Sequence, residues 1–207
     1  DLAAAARLRY LISMGLLKAA ADDLATVKDS TQDFSSLLAV GRGWEELHQN
    51  DAARKALAAI PSYAGEYPAA QIALAAMDTE AGKTDASVKE LMDLSNSSAA
   101  AAQQASIPLF HTLVFAGKAS VAMELARSQR AQASPNSPEW RNWTLLAALA
   151  AREGKDYQGA IQMLEALDTT TQAANSLDIA LLRLLQGKGP EALTAATSLA
   201  DTAPAYD

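Results

Sequence analysis

Apolar residues recur along the whole chain at the spacing of amphipathic helices, and short polar turns interrupt them at regular intervals. Each apolar stretch ends near a glycine or an asparagine, the residue types that close a helix in the left-handed conformation. These turn residues are Gly15, Asn50, Gly82, Gly117, Gly154 and Gly187. Successive turns lie 32 to 37 residues apart, with a mean of about 34. The pattern predicts a helix on each side of every turn, and therefore a repeated helical pair.

The predicted helices form two sets of six. Those before the turns are expected at residues 3–13, 34–48, 68–81, 99–116, 138–153 and 170–186. Those after the turns are expected at residues 16–27, 51–60, 84–94, 119–132, 157–167 and 190–201. Pro138 follows Ser137, a good N-cap residue, at the start of one of them. Pro108 lies inside another and is expected to kink that helix or to delay its start.

Small side chains recur at two fixed distances from the turn, where the two helices of a pair would cross. Seven residues before the turn stand Gly43, Ala75, Ala147 and Ala180, with bulky exceptions at Leu8 and Phe110. Five residues after it stand Ala20, Ser87, Ala122 and Ala192, joined by Ala56 and Ala160 if the turn gains one residue. Small residues at these places allow the two helices to approach closely.

A period of about 34 residues with small side chains at the helix crossings resembles the tetratricopeptide repeat (TPR). The resemblance covers nearly the whole chain, and it is stronger in the period than in the consensus residues. It implies an all-α fold, a right-handed superhelix (α-solenoid) of about six helix-turn-helix repeats. A single array would fill residues 1–207, with approximate repeats at 1–30, 31–65, 66–97, 98–134, 135–168 and 169–207.

The composition favours helices and removes several kinds of chemistry. Alanine, the best helix former, supplies 48 of the 207 residues, whereas aromatic residues make up 5%. There are no cysteines, which excludes disulfides, thiolate metal sites and cysteine nucleophiles. The net charge of −7 does not favour a nucleic-acid partner. No apolar run approaches the roughly 20 residues that span a bilayer, so no direct membrane insertion is expected.

Side chains suited to catalysis or metal binding are scarce. The two histidines, His48 and His111, lie far apart, and neither has a second ligand at a metal-binding interval. The triplet at Gly82 mimics the end of a phosphate loop, but Met77 stands where that loop needs its first glycine. We therefore expect no catalytic residue, no metal site and no cofactor, and a protein that is not an enzyme.

The TPR resemblance also implies a binding surface, because the first helices of the repeats line the concave side of the superhelix. Carried over position by position, the groove residues are Arg9, Trp44, His48, Glu80, His111, Phe115, Arg141 and Arg152. Tryptophan, phenylalanine and arginine are residue types that often anchor interfaces. An alternative interpretation places Trp44 and Phe115 in the ordinary core between repeats. The lysines and asparagines of repeats that clamp a terminal carboxylate are missing from the matching positions.

These observations predict a non-enzymatic scaffold or adaptor that binds a protein or peptide partner through the concave face. By resemblance, cysteine-free alanine-rich arrays imply a bacterial protein of the periplasm or envelope, acting in envelope assembly or export. A cytoplasmic location is the alternative. Two other functions stay open: an oligomerisation module whose end repeats stack, and the recruiting region of a larger enzyme. The apolar stripe of Leu193, Ala196 and Leu199 is expected to meet further repeats of a longer parent chain or a second copy.

Overall fold

The computed structural model describes residues 7, 10, 11, 14–16, 18, 19, 22, 34–167 and 175–202, without the side chains of 195 and 197–202. These residues form helices and turns, with no strand among them. Ten helices follow one another: α1 (Phe34–Glu46), α2 (Asn50–Ala58), α3 (Tyr67–Glu80), α4 (Thr84–Ser97), α5 (Ala99–Phe115), α6 (Ala119–Gln132), α7 (Pro138–Glu153), α8 (Tyr157–Glu165), α9 (Ser176–Leu185) and α10 (Gly189–Thr202).

The helices predicted from residue 34 onwards are confirmed, most of them to within three residues at each end. The predicted helix at 170–186 begins at Ser176, and residues 168–174 lie outside the described residues. The pair predicted at 3–13 and 16–27 also falls largely outside them. Helix α5 begins at Ala99 and contains Pro108, so the proline does not delay its start.

Six turns close their preceding helix with the same hydrogen bond. Each has a residue in the left-handed conformation, with φ between 56° and 78°: Gly15, His48, Gly82, Gly117, Lys155 and Gly187. The N–H of the next residue donates to the carbonyl five positions before it, as in Gln49 to Trp44 at 2.9 Å and Asp156 to Ala151 at 2.8 Å. This is the hydrogen bond of a Schellman cap. The left-handed residues lie 32 to 38 positions apart, which confirms the repeat period.

Two of the predicted turn residues are wrong. Asn50 is the first residue of α2, and the left-handed residue of that turn is His48. Gly154 has a φ of −77°, and Lys155 beside it is left-handed. The sequence indicated the turns through their residue types, whereas the position of the cap is fixed by where the helical hydrogen bonds end.

Counting from the left-handed residues also changes which small residues stand at the helix crossings. Five residues after the left-handed residue stand Ala53, Ser87, Ala122, Ala160 and Ala192, all of them buried. Ala53 therefore replaces Ala56, and no extra residue in the turn has to be assumed. Seven residues before it stand Gly41, Ala75, Phe110, Ala148 and Ala180, so Gly41 replaces Gly43 and Ala148 replaces Ala147. At the α1–α2 crossing, the position that a Gly41 Cβ would take is 3.5 Å from the carbonyl oxygen of Ala53.

The chain divides into two compact units, Asp1–Thr112 and Leu113–Asp207. In unit 1, α1 packs on α2, α2 on α3 and α3 on α4, and α1 also contacts α3. One core contains Leu37, Leu57, Ala73 and Met77, with Trp44 half-buried against it. Leu94, Ala101 and Ala105 form another, against which Tyr67 and Ile72 pack. Unit 1 is thus a row of consecutive, side-by-side helices.

Unit 2 follows the same plan. Helix α6 packs on α7, α7 on α8, α8 on α9 and α9 on α10. One core joins three of these helices through Ala148, Ala160, Ile161, Leu164, Ile179 and Leu182. Trp143 is buried on α7, and the guanidinium of Arg130 lies 5.6 Å from the ring centroid of Trp140. Both units are therefore helical-repeat-like arrangements. None of the described helices is long and apolar enough to cross a membrane.

Candidate groove in unit 2

A groove of about 240 Å³ lies between α7 and α9, with α8 beneath it. Five apolar lining residues belong to α7 and α9, on the sides of these two helices that face each other, and a sixth belongs to α8. Polar groups stand at its edges. The lining residues are Leu145, Ala148, Leu149 and Arg152 of α7, Leu164 of α8, and Asn175, Asp178, Leu181 and Leu182 at the start and on the face of α9.

The position of α7 is fixed at its start and by its buried face. Ser137 caps the helix by accepting a hydrogen bond from the Trp140 N–H at 3.1 Å, and Pro138 is its first residue. Trp143, Thr144, Leu146, Ala147 and Ala150 are buried. Leu145, Leu149 and Arg152 follow one another at spacings of four and three residues, and so lie on one face. Burial of the other positions turns this face toward the groove.

Helix α9 is apolar on two sides. Ile179 and Leu182 are buried in the core of unit 2. On the other side, four exposed leucines follow the helical spacing i, i+4, i+7 and i+8: Leu177, Leu181, Leu184 and Leu185. A surface helix of a globular protein ordinarily carries polar residues on this side, so the exposed leucines form a candidate interaction surface.

Charges near the groove are only partly satisfied within unit 2. The Arg152 guanidinium donates to Oε1 of its neighbour Glu153 at 3.0 and 3.1 Å. Arg183 of α9 donates to Glu165 of α8 at 3.0 Å and ties those helices together. The Asp178 carboxylate makes no hydrogen bond or ion pair that involves a described residue. The groove therefore offers an apolar centre, one carboxylate that can accept a partner's donor, and one guanidinium.

Of the groove residues predicted from the sequence, Arg152 lines this groove. Arg141 lies half-buried in the first turn of α7 and is not part of the lining. Phe115, the last residue of α5, is 71% exposed. Both belong to unit 2.

The other predicted residues belong to unit 1. Trp44 packs against its hydrophobic cores, as the alternative interpretation has it. His48 is an exposed turn residue rather than a residue of a helix face. Glu80 is exposed at the end of α3, and His111 is exposed on α5 with its ring edge-on to Phe110 at 5.5 Å. Arg9 lies outside the described residues.

Sequence reasoning missed Leu145, Leu149, Asp178 and Leu181. The cause in α7 is the turn placed at Gly154 instead of Lys155, because a shift of one residue rotates a helix position by about 100°. The prediction of Ala160 as a small residue at a helix crossing requires the same shift of one residue. Applied to α7 as well, it selects Leu145 and Leu149, both of which line the groove.

Unit 1 contains a charged cluster of its own. Asp78 is buried on α3 and accepts a hydrogen bond from Arg54 of α2 at 2.5 Å, with the Lys83 ammonium 3.7 Å away. On α4, partial burial and then repulsion by Asp78 raise the pKa of Glu90, against a smaller attraction by Arg54 and Lys83. The Arg54–Asp78 ion pair therefore joins α2 to α3, whereas Glu90 of α4 lies near enough to be repelled by Asp78.

In the part of the chain that the structure describes, no three histidine or acidic side chains lie close enough together to hold a metal ion. The chain matches no protein-family model and no curated protein.

Proposed function

We propose that this chain is a non-enzymatic scaffold of the TPR-like helical-repeat type. It binds a protein partner through the groove between α7 and α9. The observation that carries the proposal is the apolar lining of that groove, with exposed leucines continuing from it along α9.

The size of the groove favours a protein partner over a small ligand. Sites for small molecules usually measure about 300–1,000 Å³ and enclose most of the ligand. The groove has about 240 Å³ and is open along α9, so it accommodates one or two apolar side chains of a larger partner. A helix that docks in a groove of this kind presents apolar side chains every three or four residues along one face. The exposed leucines of α9 have the same spacing.

The polar residues at the edge of the groove favour one orientation of the bound partner. Asp178 and Asn175 stand on the α9 side of the groove, and Arg152 stands on the α7 side. A partner that places a basic side chain near Asp178 gains a charge pair, and the reversed orientation of the partner loses it. Such pairs at an edge contribute more to specificity than to affinity.

A photo-crosslinking residue in place of Leu149 tests the proposal in the native host, because the captured protein must lie in the groove. The captured protein is then purified and titrated against the wild-type chain and against the Leu149→Glu and Arg152→Glu variants. We expect the Leu149→Glu variant to bind at least tenfold more weakly, since a buried carboxylate replaces an apolar contact.

Met92→Glu serves as the matched control, because Met92 is an exposed apolar residue on α4 in the other unit. It should bind like the wild type. Equal binding by the wild type and by Leu149→Glu, with both folded by circular dichroism, would contradict the proposed function.

We also propose a place in the bacterial periplasm or envelope, on the ground of the cysteine-free, alanine-rich composition. Cell fractionation with an antibody against the chain tests this part separately. Recovery in the cytoplasmic fraction would contradict it and would leave the groove proposal standing.

A further inference from the structure

Helices α2 and α3 of unit 1 are joined by an ion pair at positions that are apolar in most other repeats. Arg54 of α2 stands six residues after the left-handed residue of its turn. The equivalent residues of the repeats that follow are Val88, Met123, Ile161 and Leu193. Among the described repeats, a charged side chain therefore occupies this position on α2 alone.

The partner of Arg54 departs from the repeat in the same way. Asp78 stands four residues before the left-handed residue that follows α3. The equivalent residues are Trp44, Leu113, Ala151 and Arg183. Arg183 is charged as well, but it pairs with Glu165 at an exposed site. In the described repeats, the buried acid at this position thus belongs to α3.

The two charges meet where water is largely excluded. The Arg54 guanidinium donates to the Asp78 carboxylate at 2.5 Å, and their side chains are 33% and 12% exposed. The Lys83 ammonium lies 3.7 Å from the same carboxylate, on a side chain that is mostly in solvent. Glu90 of α4 adds a like charge that repels Asp78. Arg54 is therefore the main counter-charge of Asp78.

The equivalent interface in unit 2, between α6 and α7, is apolar. Met123 packs there against the core that contains Ala151. An ion pair adds little stability in place of such a contact, because the cost of taking two charges out of water offsets their attraction. Its effect falls on the choice of neighbour instead. An apolar helix in the place of α2 would leave Asp78 buried without its donor, which costs far more than the pair gains.

We propose that the Arg54–Asp78 pair fixes the order of the repeats in unit 1, because it lets α2 accept α3 and excludes the apolar faces of other repeats. Repeats with similar alanine-rich crossings offer each helix several similar neighbours, in the same chain or in a second copy. A polar residue at one place in an apolar interface is a documented means of fixing a single pairing. The pair lies in unit 1 and is independent of the proposed function of the groove in unit 2.

Two variants of the full chain separate order from stability. Arg54→Met with Asp78→Ala gives the α2–α3 interface the residues that stand at the α6–α7 interface. This double variant should keep the wild-type Tm to within about 4 °C. Arg54→Met alone leaves Asp78 without its main counter-charge and should lower the Tm by on the order of 10 °C.

The order of the repeats is measured by refolding from urea at several chain concentrations, followed by size-exclusion chromatography with light scattering. A helix that takes its neighbour from a second copy produces a swapped dimer, which persists on dilution and reverts only after unfolding. The double variant should form at least tenfold more of this dimer than the wild type. Arg183→Gln with Glu165→Gln is the matched control, because it removes an exposed ion pair between neighbouring helices, and it should refold like the wild type.

A double variant that refolds to monomer as completely as the wild type would overturn the proposal. A double variant that melts as low as Arg54→Met alone, or does not fold, would also overturn it, because the pair would then provide stability rather than order. An unchanged Tm in Arg54→Met alone would show that an unpaired Asp78 carries no penalty, with the same consequence. Equal dimer formation by the control would mean that the effect is not specific to this pair.

Discussion

The hydroxyl of Ser87 donates a hydrogen bond to the backbone carbonyl of Ala75 at 2.8 Å, across the crossing of α4 and α3. Both residues are fully buried. A side chain of α4 can reach the backbone of α3 only because the residue on each helix at this point is small. The contact therefore shows how closely two helices of this alanine-rich chain can approach. Ser87 stands five residues after the left-handed residue of its turn, where every described repeat has a small residue.

Replacing Ser87 should destabilise unit 1, whether the new side chain only loses the hydrogen bond or is also larger. Ser87→Ala loses the hydrogen bond and should lower the free energy of unfolding by about 1 kcal/mol. Ser87→Leu must also force the two helices apart and should lower it by about 3 kcal/mol. Urea unfolding measures both. Ser120→Leu on the exposed side of α6 is the control, and an effect there as large as at Ser87 would contradict the explanation.

The side chain of Leu57 leaves no space for a side chain on Gly41. A Cβ on Gly41 would lie 2.6 Å from both Cγ and Cδ2 of the fully buried Leu57 side chain. Gly41→Ala should therefore destabilise by about 1–3 kcal/mol, although the same change in an exposed helix stabilises by about 1 kcal/mol.

The double variant with Leu57→Ala tests the cause. In that background, Gly41→Ala should lose most of its effect, because the clashing atoms are gone. Gly65→Ala, where no atom lies within 4 Å of the added carbon, is the neutral control. An unchanged effect of Gly41→Ala in the Leu57→Ala background would contradict the explanation.

The turn after α7 should improve when its left-handed residue becomes glycine. Lys155 has a φ of 64°, which costs a residue with a Cβ about 1 kcal/mol relative to glycine. Lys155→Gly should raise the free energy of unfolding by about that amount. At the next turn, Gly187→Lys should lower it by a similar amount. Chemical denaturation of the pair measures both, and a loss of stability in Lys155→Gly would mean that the turn is placed wrongly.

The stability of unit 1 should fall as Glu90 ionises. Because the folded-state pKa of Glu90 is raised above its ordinary value of 4.5, the folded chain binds the proton more tightly than the unfolded chain does. Stability is therefore lost as the pH rises from about 4.5 through the raised pKa. Glu90→Gln should be more stable than the wild type at pH 7, and this difference should vanish below pH 4.5. Thermal unfolding across this range checks it, with Glu124→Gln on α6 as the control; an advantage that persists at low pH would contradict the assignment.

The sequence predicts the helices well and the groove poorly, for one physical reason. Apolar spacing over ten or more residues locates a helix even when its ends shift by two residues. The face that a residue occupies does not tolerate such a shift, because each position adds about 100° of rotation. The predicted turn residue is Asn50, whereas the left-handed residue is His48. This difference of two residues assigns Trp44 to the predicted groove, although Trp44 packs against the core of unit 1. Left-handed histidine and lysine are uncommon, so residue type could not have corrected it.

The uneven placement of the three tryptophans provides a built-in spectroscopic reporter for each unit. Trp44 belongs to unit 1, whereas Trp140 and Trp143 belong to unit 2. Trp44 is half-buried and Trp143 is buried, so unfolding of either unit transfers an indole from apolar surroundings to water. In a Trp44→Phe chain, intrinsic fluorescence follows unit 2 alone. With Trp140 and Trp143 replaced by phenylalanine, it follows unit 1, and the melting of the two halves can be compared without any added dye.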